Sequence, residues 1–124
     1  MIKKDLDLAR AWAKLLSELK SRLDVRPKDL NGVLLLIGVQ ELGKGFARFT
    51  KEEKQDLMHI AICKVLSFSD YYILESIDQD GWPHWKVNKP LPQFDLLEQE
   101  KLLKMHIIEY FEKELDFDLN PPQI

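Results

Sequence analysis

The sequence predicts a mainly α fold: a four-helix, bundle-like single domain with one β-hairpin inserted between the third and fourth helices. Three observations carry this. Apolar residues recur at spacings of three and four along several stretches. Two stretches open with a side chain that caps a helix, Thr50 three residues before Glu53 and Asp95 three before Glu98. One stretch, Tyr71 to Phe94, breaks the helical pattern with β-formers on either side of an Asp-Gly turn.

The first helix is expected over residues 5–24. Leu8, Trp12, Leu15, Leu16, Leu19 and Leu23 share one face, Asp5 and Asp7 complement the dipole at its start, and Val25-Arg26-Pro27 ends it. Residues 29–43 are ambiguous, because a short apolar run suits a buried strand or a buried helix. Helix is preferred: Leu30, Val33, Leu34, Ile37 and Leu42 fit one face, and Gly43 suits a C-cap. If residues 33–39 form a strand instead, the fold becomes a small α+β sandwich. Gly32 and Gly38 would each cost about 1 kcal/mol against Ala inside that helix, a cost expected where a neighbouring helix crosses closely. The third helix should run from the Thr50 capping box to Leu66 or Phe68, burying Leu57, Met58, Ala61, Ile62 and Val65.

Tyr71–Ile77 and Trp82–Val87 read as the two strands of the hairpin, with Asp80-Gly81 in the turn and Pro83 confining the second strand to an edge. Strand alternation puts Pro83, Trp85 and Val87 on one face, expected to pack on helices, and Trp82, His84 and Lys86 on the other. After the extended link Lys89–Pro92, the last helix runs from the Asp95 cap to about Leu115, with Leu96, Leu103, Ile107, Tyr110, Phe111 and Leu115 inward. The globular part is expected over residues 1–118, with residues 119–124 as a frayed tail.

Cys63 is the only cysteine, which excludes an internal disulfide and a multi-cysteine zinc framework and suits a reducing cytoplasm. The longest apolar run, Val33–Val39, is far shorter than the roughly 20 residues a membrane helix needs. The acidic residues after Lys3-Lys4 do not fit a secretory leader. A soluble cytoplasmic protein without a membrane partner is expected. Net charge is −3, which argues against nucleic acid as the main partner. The first 62 residues are nonetheless basic on balance and the rest acidic. Arg10, Lys14, Lys20, Arg22, Arg26 and Lys28 would be the contacts if nucleic acid were bound.

Four constellations bear on chemistry. Asp56-x-x-His59 and His106-x-x-Glu109, with Glu18 and Glu41, resemble the ligand spacing of a carboxylate-bridged di-metal bundle. One pair carries Asp for Glu and the other is reversed. His59 and Asp56 also fall off the apolar arc of their helix, where a metal ligand would have to point inward. No metal or other cofactor is therefore expected. Glu52, Asp56, His59 and Cys63 form one helical stripe suggestive of a nucleophile and its base. No oxyanion donor accompanies them, and a lone cysteine is most often a small buried apolar residue. Asp78-Gln79-Asp80-Gly81 opens like a calcium loop but has Lys89 where the bidentate Glu should stand, and turn chemistry explains it. The fourth constellation is aromatic. Tyr71, Tyr72, Trp82, His84 and Trp85 lie on the hairpin, where Trp and Tyr can anchor a partner. No set of residues assembles a catalytic centre, so no catalytic residue is assigned.

The expected function is a non-enzymatic interaction or self-associating domain, with a protein partner or a second copy bound through Trp82, His84, Lys86 and Tyr72. The alternative is a small-ligand-binding protein or enzyme with a cleft between the hairpin and the helices. In it, His84 with Glu75 or Asp78 would supply acid–base groups.

Overall fold

Side-chain oxygens set the starts of three helices. In the computed structural model, which describes residues 2–45 and 47–119 with side chains from Asp5 onward, Asp29 accepts from the Gly32 amide at 2.9 Å. Thr50 and Glu53 complete a reciprocal capping box, and Asp95 accepts from the Glu98 amide at 2.9 Å. Each bond satisfies a donor that the helix itself leaves unpaired. The elements run α1 (Ile2–Leu23), α2 (Leu30–Leu42), α3 (Lys51–Ser67), β1 (Tyr72–Ile77), β2 (Pro83–Val87) and α4 (Leu96–Leu115). The fold is mainly α, with the hairpin between the third and fourth helices as expected. Residues 33–39 are helical, so the α+β alternative falls. No described helix is long and apolar enough to cross a membrane.

Helix ends follow a rule that the sequence only half displays. Gly43 closes α2 in the left-handed region and donates its amide to Val39, as a glycine C-cap should. Asp24, Asp70 and Asp116 follow α1, α3 and α4, all with φ between 54° and 65°. Aspartate tolerates this region better than most residues, so each serves where a glycine would be sought.

The chain forms two compact units, one of α1 with α4 and one of α2, α3 and the hairpin. In the first, Lys101 pairs with Asp5 at 3.2 Å near the starts of both helices. Lys104 lies over the Trp12 ring, and Arg22 lies 4.4 Å over Phe117 just past the end of α4. These three contacts make α1 and α4 run in the same direction. Among the described side chains of α1, Ala11, Leu15 and Leu19 are buried, whereas Leu23, expected on the same face, is 55% exposed. The segment after α4 doubles back. The amides of Asp116 and Phe117 both donate to the Phe111 carbonyl, and Phe117 stacks 5.2 Å from Phe111. Phe117 and Leu119 are buried. The expected fraying therefore does not hold at 119, and residues 120–124 lie outside the described residues.

In the second unit α2 and α3 cross closely. A Cβ placed on Gly38 would meet the Leu57 carbonyl oxygen at 2.2 Å, so the crossing exists only because position 38 has no side chain. Val39, Leu42 and Leu57 form a core cluster, against which Leu35, Phe49 and Trp82 pack. The antiparallel hairpin pairs Tyr72 with Val87, Ile73 with Lys86, Leu74 with Trp85, Ser76 with His84 and Ile77 with Pro83, with a bulge between Leu74 and Ser76. Glu75 is the extra residue of that bulge. Its effect is that Leu74 and Ile77 face the same side of the sheet although three residues apart.

Candidate functional site

The hairpin tip is built around one carboxylate. Asp78 Oδ1 accepts from the amides of Asp80 at 2.9 Å and Trp82 at 3.0 Å. Its own amide donates to the Trp82 carbonyl. Gly81, at φ 87°, makes the turn that these bonds require. The Asp78-Gln79-Asp80-Gly81 sequence is thus a turn whose carboxylate is used internally. The other oxygen, Oδ2, accepts from His84 Nε2 at 2.9 Å. The His84 hydrogen bond, then those from Trp82 and Asp80, hold the Asp78 carboxyl below its ordinary range. With Nε2 donating, Nδ1 is the acceptor nitrogen of a neutral His84 ring. Lys44, from the loop after α2, donates to the Asp80 carbonyl.

A cleft of about 410 Å³ opens between α3 and the hairpin. Its lining is Asp56, His59 and Ile60 from α3 and Asp78, Trp82, Pro83, His84 and Trp85 from the hairpin. Exposure of Asp56 and His59 agrees with their place off the main apolar arc of α3. The Nε1 donor of Trp85 is buried and has no hydrogen-bond partner among the described residues. A buried indole N–H normally finds one.

The four residues expected to bind a partner are spread over more than one surface. Trp82 is half-buried and packs against the Val39, Leu42 and Leu57 cluster. It precedes the second strand, with its amide tied into the Asp78 turn, so strand alternation does not govern it. Tyr72 is half-buried, its ring edge-on to His59 with centroids 6.5 Å apart. Lys86 is exposed opposite Ile73 and is not part of the cleft wall. Of the four, the structure brings Trp82 and His84 together in the cleft. The expected packing face divides too: Pro83 and Trp85 are half-buried, but Val87 is 65% exposed.

The other constellations resolve by burial. Cys63 is fully buried on the side of α3 near Tyr72, and burial pushes its thiol up to about 11. Its Sγ lies 3.5 Å from His59 Nε2, but a thiol held protonated is the opposite of an activated nucleophile. His106 is buried at 9% exposure, with Nδ1 donating to the Leu102 carbonyl at 2.7 Å. Among the described residues no group of three or more His, Cys, Asp or Glu side chains is placed to hold a metal ion. Sequence reasoning missed a second hollow of about 320 Å³ between α1 and α4, with Leu8, Trp12, Leu16 and Leu97 in its walls. The (i, i+4) spacing of Leu8, Trp12 and Leu16 was its only visible signal. No protein-family model matches this chain, and neither a curated protein nor a solved structure does.

Proposed function

We propose that this chain is a small-ligand-binding protein whose site is the cleft between α3 and the hairpin. The observation that carries the proposal is the make-up of the cleft wall. Two indoles provide apolar surface and the Asp78–His84 pair provides a fixed polar edge. Apolar walls with a few convergent polar groups at this volume are the ordinary anatomy of a ligand site. Binding fits better than catalysis. The wall holds no Ser, Thr, Cys or Lys to act as a nucleophile, and Cys63 stays protonated. The buried, protonated thiol also suits the reducing cytoplasm as the protein's setting.

The test is a titration of isotopically labelled protein with a panel of small cations, anions, sugars and nucleosides, followed through the indole N–H signals. Trp82 and Trp85 should shift while Trp12, on α1, does not. A panel in which no compound moves either signal would reject the site.

A second reading, an interaction or self-associating domain, draws on aliphatic side chains of the sheet face that also carries Pro83 and Trp85. Leu74, Ile77 and Val87 lie on one face of the sheet with 44%, 62% and 65% of their surface exposed. Grouped exposed aliphatic side chains mark association surfaces more often than chance placement. Sedimentation at rising concentration should show association in the parent protein and its loss in Ile77→Lys/Val87→Lys. A monomer at every concentration removes self-association.

A further inference from the structure

Taking the cleft as the binding site, we infer that its ligand is a small organic cation, an alkylammonium group. Charge is the first ground. Asp56 and Asp78 are acidic wall residues and no lysine or arginine stands beside them. Lys44 reaches the hairpin tip, but its amine is committed to the Asp80 carbonyl. An anion entering here would meet two carboxylates and no permanent positive charge.

The second ground is that these carboxylates differ in availability. Asp78 is saturated by His84 and by two backbone amides. Asp56 makes no hydrogen bond or ion pair with any described residue, so its charge faces the cleft uncompensated. A counter-charge must come from solvent or from a ligand.

The aromatic walls are the third ground. Indole faces attract alkylammonium groups through the ring quadrupole, tryptophan most strongly. Trp82 and Trp85 both border the space.

Choline and its uncharged carbon isostere, 3,3-dimethylbutan-1-ol, separate charge from shape. Titrated at pH 8 into the full chain, choline should shift the Trp82 and Trp85 indole signals and bind about tenfold more tightly than the isostere. Asp56→Asn, an exposed position on α3, should weaken choline about threefold and leave the isostere unchanged. Equal affinity for the two compounds, or indifference to Asp56→Asn, overturns the cation inference. If glucose, a nucleoside or the isostere shifts the indoles while millimolar choline does not, the cation inference falls and the ligand site stands. If nothing shifts them, both fall.

Discussion

Gly38 and Leu57 meet backbone to backbone: the space where a Cβ on the glycine would sit lies 2.2 Å from the leucine carbonyl oxygen. No rotamer change relieves such a clash, because the obstacle is main chain. Gly38→Ala should therefore lower stability by about 1–3 kcal/mol or more by forcing α2 and α3 apart, although alanine is the better helix former. Gly43→Ala is the contrast. There the backbone is left-handed at φ 74° and nothing lies within 4 Å, so the cost is conformational, about 1–2 kcal/mol. Urea unfolding of both variants checks this. A broadened near-UV spectrum, reporting loosened packing, is expected only for Gly38→Ala.

Trp82 and His84 should part company on substitution. Trp82→Ala removes a ring that packs on Val39, Leu42 and Leu57 and is expected to cost about 2 kcal/mol, below the range for a fully buried aromatic. His84→Ala removes an exposed ring and should stay within about 0.5 kcal/mol. Thermal midpoints of the two variants decide. Equal losses would contradict the placement of Trp82 in the core.

Cys63 gives a pH signature at the alkaline end. Its thiol is pushed up to about 11 by burial, so between about pH 9 and 11 the unfolded chain releases a proton that the folded chain keeps. The unfolded state then binds fewer protons, and stability falls as pH rises through that window. Cys63→Ala lacks the term. The stability gap between parent and variant should narrow from pH 9 to pH 11, read from denaturant midpoints. In the native protein at pH 8, iodoacetamide should label Cys63 far more slowly than in the unfolded chain.

Asp78 gives the acid counterpart. Its carboxyl is held low by His84 and by the amides of Trp82 and Asp80, so the charged form contributes stability above the ordinary carboxylate range. That contribution is lost as pH falls through the folded value. Asp78→Asn keeps an accepting oxygen but not the charge. The parent should be the more stable at pH 7, and the difference should be smaller at an acid pH below the ordinary carboxylate range. A gap that is the same at both pH values would show that charge plays no part in holding the turn.

Much of the architecture was legible because short-range chemistry decided it. Thr50 with Glu53 and Asp95 with Glu98 located two helix starts, and Asp80-Gly81 located the turn. α2 was legible through the shared face of Leu30, Val33, Leu34, Ile37 and Leu42 and through its Gly43 cap, although apolar residues surround most of it. What failed depended on long-range placement. Alternation assigned Trp82 to an outward face, but the Asp78 turn holds its backbone and the α2–α3 core takes its ring. Helical periodicity put Cys63 on a polar stripe, but its residue type pointed to burial, and it is buried: the hairpin gives α3 a second covered side. The double-back after Asp116, which buries Phe117 and Leu119, had a signal in hindsight: an aspartate free to go left-handed at the end of a helix.

The bulge at Glu75 bears on edge-to-edge strand pairing. A two-stranded sheet has two open edges, and β1 carries Ile73, Leu74 and Ile77, each more than 40% exposed. Such a segment is a template onto which further strands can add, from the same protein or another. An unpaired residue in mid-strand breaks the regular ladder and increases the local twist, and here that residue carries a negative charge. Glu75 thus works against growth at the edge while leaving the flat apolar face untouched. Contact through side chains on that face stays possible where strand-by-strand extension into fibres is opposed.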